Sequence, residues 1–254
     1  MQMRVDWSPL DAELAIWRAE RLDLPIWWRD DDATGQTPAL ARLQGLAEKL
    51  AMPVHLAVIP KHADASLAAV CASGILIPVV HGWAHENHAP AGAKKAEFGN
   101  ARKGLEEEAA AGLARLEAIF DEQLCRIFVP PWNRIDAGLT TRLADLGYLG
   151  VSTFTPRRDR WAAPGLVQIN THIDPIDWRG GGGLVPAERQ IINIVNILRD
   201  RRHGNTDRAE PLGLLTHHLV HDAAIWAFSE ACLGRLLEGG ARPVDLRSCG
   251  AALP

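Results

Sequence analysis

Pro25-Ile26-Trp27-Trp28-Arg29-Asp30-Asp31-Asp32-Ala33 joins an apolar run directly to three consecutive carboxylates. Residues 25–29 read as a buried strand: the run is short, aromatic and β-branched, with proline at one end and acids at the other. Adjacent carboxylates repel one another, and either solvent beyond a strand end or a bound cation relieves that cost. Strand alternation sends Asp30 and Asp32 to one face and Asp31 to the other, unless a turn begins there.

Working outward, similar runs recur at 54–59 (VHLAVI), 75–80 (ILIPVV), 125–129 (CRIFV), 150–154 (GVSTF), 166–169 (LVQI) and 212–216 (LGLLT). Helical periodicity fills the intervals, at 38–51, 64–72, 101–124, 136–147, 187–202 and 222–237. Thr37-Pro38, Asp136 and Asp222 stand where N-caps belong. Strands alternating with helices demand a mostly parallel sheet under covering helices, and seven strands suggest closure into a barrel. No repeat and no Pro/Ser linker divides the chain, so residues 1–254 are expected to form a single domain with its core at about 25–237.

The 254 residues are 47% hydrophobic, enough for a sizeable core. Lys+Arg 27 against Asp+Glu 31 leaves a charge of -4, so no global basic field points to nucleic acid or an anionic membrane. The four cysteines, at 71, 125, 232 and 249, are far apart without CxxC spacing, and three lie in apolar surroundings expected of reduced thiols. The first thirty residues lack a continuous apolar region, and no run reaches about 18 apolar residues, so a cytoplasmic location is expected. Gly180 to Gly183 lacks the spacing of a phosphate-binding loop.

Polar groups cluster at strand exits. His81 and His85, in HGWAHENH, are four apart and can share a metal across one helical turn, or stand as structural histidines in a polar loop; His88 is a spare. A carboxylate from 30–32 with two imidazoles makes an O/N/N set suited to a divalent ion, with positions left for water and substrate. Asp174 and Asp177 fall in THIDPIDW, where Asp177 either orients a histidine or caps a turn beside a core tryptophan. His217 and His218 follow the last strand, and one of them facing the barrel mouth can act as a general acid. The exit FVPPWNR offers Pro130, Pro131 and Trp132 as a rigid wall with Asn133 or Arg134 as polar contacts. Arg157, Arg158 and Arg160 are either an anion-holding or a solvated loop.

In this order the motifs resemble the polysaccharide deacetylase (NodB-homology) family, whose members are distorted (β/α) barrels and many of which remove acetyl groups from carbohydrates with a divalent metal. RDDDA resembles TFDDG, which implies Asp31 as catalytic base and Asp32 as metal ligand. HGWAH matches H(S/T)xxH, implying His81 and His85 as the metal histidines, with Gly82 in place of the hydroxyl residue. DPIDW matches DxxDW at Asp174 and Asp177, and Leu215-Thr216-His217 matches LxH. The proline turn of the RxPPxG-like motif survives, but Val129 stands where an arginine is expected; Arg29 and Arg134 are candidates to replace it. The resemblance spans 25–237 and implies a divergent, NodB-like α/β barrel of about seven parallel strands.

The activity it implies is metal-dependent hydrolysis of an N- or O-acetylated sugar or related compound, with one divalent ion, zinc being expected, to polarise the carbonyl and activate water. Asp31 would take a proton, and His217, oriented by Asp174 or Asp177, would return one to the leaving group. Trp83, Trp132, Asn133 and Trp178 are the expected substrate contacts. The expected partner is a carbohydrate or other small molecule, with no nucleic acid and no membrane. The competing readings are a metal-dependent amidohydrolase of a small C–N compound and a non-catalytic carbohydrate-binding barrel.

Overall fold

A computed structural model describes residues 5–248. Its strands are β1 (Pro25–Ala33), β2 (Val54–Val58), β3 (Leu76–His81), β4 (Ile127–Val129), β5 (Gly150–Val151), β6 (Trp161–Ala163), β7 (Leu166–Gln168), β8 (Leu212–Thr216) and β9 (Arg242–Pro243). Its helices are α1 (Ser8–Ala19), α2 (Pro38–Leu50), α3 (Leu67–Cys71), α4 (Leu105–Phe120), α5 (Ala137–Arg142), α6 (Ala187–Arg202) and α7 (Ala223–Glu238). The sheet runs β6-β7-β5-β4-β3-β2-β1-β8, parallel except for the β6–β7 pair, with β9 on β1. Beyond β7 the chain bridges Thr171 to Phe154 and Ile173 to Leu214, linking the β5 edge to β8. The result is the expected distorted (β/α) barrel, with two short strands, β6 and β9, that the sequence did not announce.

Alternation along the strands separates two apolar clusters. Trp27, Ala57, Ile77, Val79, Ile127, Val129, Val167 and Ile169 form one, and the larger cluster joins Ile26, Trp28, Leu56, Val80 and Phe128 to the helices. Neighbouring residues such as Trp27 and Trp28 thus serve opposite faces, the smaller group filling the barrel and the larger one lying under the helices. Gly213 shows how full the interior is: a Cβ there would stand 2.5 Å from Trp27 Nε1 and 2.7 Å from Asn170 O.

Three helices start where their caps predict, with Thr37, Asp136 and Asp222 side chains accepting the N–H of Leu40, Leu139 and Ile225. The buried core extends beyond 25–237, because α1 contributes Leu10, Leu14 and Trp17 and the other end contributes Ala241 and Leu246. Cys71, Cys125 and Cys232 are buried, and burial pushes the Cys71 and Cys232 thiols up to about 12; Cys249 lies outside the described residues. No described helix is long and apolar enough to cross a membrane.

Candidate metal centre

Parallel strands present their C-terminal ends to one rim, where β1, β3, β4, β5 and β8 deliver the polar groups. The three aspartates leave β1 in three directions. The β1–β2 register slips between Asp30 and Ala33, and Asp32 takes a left-handed φ of 75°. This bulge frees Asp32 from strict alternation and aims it at β3.

Asp32 Oδ1 lies 3.1 Å from His81 Nε2 and 3.2 Å from His85 Nε2. His81 Nδ1 sits 2.9 Å from Val129 O, so it carries the proton and donates, leaving Nε2 for a ligand. His85 also holds a left-handed φ, 58°, with its ring 4.3 Å from that of Trp132. Trp132 and Asn133 share that backbone region at 57° and 56°, so strain gathers around the rim. Burial would raise the Asp32 carboxyl, but the His81 hydrogen bond and the charges of His81, His217 and His85 hold it far below the usual carboxylate range. Burial and the His81 charge push His85 down, toward the neutral imidazole that binds metal. An ionised carboxylate and two convergent ring nitrogens, one with its far nitrogen already anchored, fit a divalent ion.

A second grouping, His88, Glu97 and Glu108, has ligand atoms equally close. Its carboxylates are already engaged, Glu108 by Arg102 and Glu97 by the amides of Trp83 and Ala84.

Asp31 faces the opposite way from Asp30 and is clasped by Arg29, two residues earlier on the same face of β1. Arg29 Nε is 2.9 Å from Asp31 Oδ1 and Nη2 donates to Oδ2 at 3.0 Å. The guanidinium also donates to Ser152 Oγ at 2.7 Å and to Asn133 Oδ1 at 2.7 Å. Of the two candidate arginines, Arg29 is the one at Asp31, whereas Arg134 donates to the Lys95 carbonyl. His217 Nε2 stands 4.0 Å from Asp31 Oδ2 and its buried Nδ1 has no hydrogen-bond partner among the described residues. Asp174 is coupled to His217 electrostatically; burial raises its carboxyl, while its oxygens accept from Ile176 N–H and Trp178 Nε1–H. Trp178, 55% exposed, sets its ring edge-on to His217, 4.9 Å between centroids.

Several expected positions have other partners. Asp177 Oδ1 accepts the N–H of Arg179 and Gly180 and so caps its own turn. Trp83 packs half-buried on the outer core, and Asn133 gives its carbonyl to Arg29. Arg157 is neither solvated nor poised for an anion, being buried against Asp207 and Gln168 O. His218 turns away to Asp30, whose Oδ2 also accepts from Thr216 Oγ and His218 N–H. Sequence reasoning missed Ser152, which has no motif, and Glu97, which stands in a loop read as polar filler.

No family model matches the sequence, and no curated protein matches it. Solved structures do. A peptidoglycan N-acetylglucosamine deacetylase (Bc1960) in complex with a hydroxamate-type benzamide aligns at a TM-score of 0.58 and 13% identity, covering 90% of this chain and 88% of that one. A family 4 carbohydrate esterase from Streptomyces lividans, in complex with acetate, aligns at 0.54 and 13% identity over 91% and 97%. A CE4 family pseudoenzyme from Bacillus anthracis aligns at 0.53 and 14% identity, over 87% of this chain and 63% of its own. The chain thus has the fold of the family 4 carbohydrate esterases and NodB-type polysaccharide deacetylases.

Proposed function

We propose that this protein is a divergent polysaccharide deacetylase-like hydrolase that removes an acyl group from an N- or O-acetylated sugar or related compound. One observation carries the reading: Asp32, His81 and His85 converge on one point, with the Arg29-bound Asp31 and His217 beside it. The Bacillus anthracis pseudoenzyme shows that the fold alone does not bring activity. The reading therefore rests on a proton acceptor and a proton donor standing next to the triad.

Asp32, His81 and His85 would hold the ion, for which zinc suits the O/N/N set, and the bound ion would polarise the acyl carbonyl and lower the pKa of water. Asp31 then accepts the proton of the attacking water at its carboxylate, oriented by the Arg29 fork. His217 returns a proton to the departing amine or alcohol. Asp174, rather than Asp177, is the carboxylate that stands by the His217 ring. Trp132 beside His85 and Trp178 beside His217 give flat walls on two sides for a sugar or acyl group.

The test is elemental analysis of the purified protein, with His81→Ala, Asp32→Asn and Asp31→Asn beside it, followed by acetate release from acetylated sugars. Near one equivalent of metal is expected in wild type and Asp31→Asn, lost in the other two, with turnover absent from all three variants. Wild-type protein that takes up no metal even after replenishment refutes the proposal; metal retained in Asp32→Asn but lost in Asp31→Asn reverses the two roles.

A further inference from the structure

The loop between β3 and α4 contains a buried carboxylate that the hydrolytic reading leaves without a task. Glu97 is 1% exposed, and its two oxygens accept separate backbone amides: Oε1 from Ala84 N–H at 2.7 Å and Oε2 from Trp83 N–H at 3.2 Å. These amides belong to the two residues immediately before His85. They would otherwise be unpaired donors in the tight turn that carries His85 into the left-handed region.

Glu97 also fills the space where a side chain at Gly82 would lie. A Cβ on Gly82 would come within 2.4 Å of Glu97 Oε2 and 2.6 Å of Pro131 Cδ, and Gly82 itself has φ 55°. The helix α4 closes this turn from a third side, since a Cβ on Gly112 would lie 2.8 Å from Gly82 O. Glu97 is itself held firmly. Ala96 and Phe98 on either side are buried, Phe98 packs edge-on against Phe128 at 5.1 Å, and Asp136 N–H donates to the Phe98 carbonyl at 2.7 Å.

We propose that Glu97 is a positioning residue for the metal centre: by binding the Trp83 and Ala84 amides it fixes the turn that brings His85 Nε2 to Asp32. The inference rests on the metal-site reading above. A charged acceptor bound to two amides holds a turn more firmly than neutral groups do, because ionised hydrogen bonds are roughly twice as strong. Groups that orient a metal ligand without touching the metal typically change affinity by about 10–100-fold.

The experiment is a zinc titration of the metal-free full chain, in competition with a chromophoric chelator, on wild type, Glu97→Gln, Glu97→Ala and His85→Ala. Cobalt spectra and thermal unfolding of the metal-free proteins are recorded in parallel. Glu97→Gln tests the idea even if the alanine variant does not fold, since its amide end must place a donor against one of the two N–H groups. The expected result is zinc affinity lowered about 10–100-fold in each folded glutamate variant, with an altered cobalt absorption band. Wild-type affinity and spectrum in either folded variant overturn the inference while leaving the metal site intact. Failure of wild type to bind zinc removes both readings at once.

Discussion

Replacing Arg29 with Met tests the pair at the centre of the site. Arg29 is 0% and Asp31 3% exposed, so the variant strands a carboxylate with its cation gone, and breaking a buried pair this way costs about 3–5 kcal/mol. Loss of the hydrogen bonds to Ser152 and Asn133 adds about 1 kcal/mol each at most, and the Met side chain recovers part of the packing of the Arg stem. Urea unfolding at pH 8 of Arg29→Met, Asp31→Asn and the double variant measures this. We expect about 3–5 kcal/mol lost by Arg29→Met, and a coupling energy of about 2 kcal/mol or more between the sites. A loss below about 1 kcal/mol, or additive single effects, refutes the view that Arg29 holds Asp31.

Three further outcomes are expected. His55 is wholly buried between Trp28 O and Leu246 N–H, and burial lowers its pKa to about 4; its stabilising contribution is complete above about pH 6.5 and falls away toward pH 4, on the order of 3 kcal/mol, as the unfolded chain takes a proton the folded one refuses. A wild-type stability curve flat between pH 7 and 4, or one as steep in His55→Asn, contradicts this. Gly213→Ala, with its Cβ against Trp27, should cost about 1–3 kcal/mol in thermal or urea unfolding, whereas Gly234→Ala, with open space inside α7, should be neutral or stabilising. Trp178→Ala should leave stability within about 0.5 kcal/mol, because the ring is exposed, yet raise KM for an acetylated sugar; an unchanged KM removes Trp178 from substrate binding.

The barrel was legible because its strands are short apolar runs and its helices carry their own caps at Thr37, Asp136 and Asp222. Elements without a strong local signature escaped: β9 is two exposed residues, and α1 lies in a charged stretch whose buried apolar face is only Leu10, Leu14 and Trp17. The strand expected at 150–154 ends at Val151, and the next residue, Ser152, spends its hydroxyl on Arg29. The same division governs the site. Asp32, His81 and His217 directly follow or end apolar strands, so topology alone gathers them on one rim. Contacts joining distant segments, Glu97 to Trp83 and Ala84, and Asn133 and Ser152 to Arg29, obey no spacing rule, because the backbone path between them decides whether they meet.

The positions where this chain departs from the deacetylase motifs that it resembles show how its rim groups are braced. Val129 lacks the expected arginine, yet its carbonyl still orients His81, and a cation for Asp31 comes from Arg29 on the strand that carries Asp31 itself. Gly82 lacks the hydroxyl residue, and Glu97 occupies its space from across the loop. In both places the groups that the proposed mechanism uses stand at strand ends, while those bracing them come from other positions. Electrostatic support is indifferent to which segment supplies a guanidinium or a carboxylate, provided burial and distance match. Local motifs record the segment and not the distance. No family model matches the sequence, yet its barrel rim brings Asp31, Asp32, His81, His85 and His217 together.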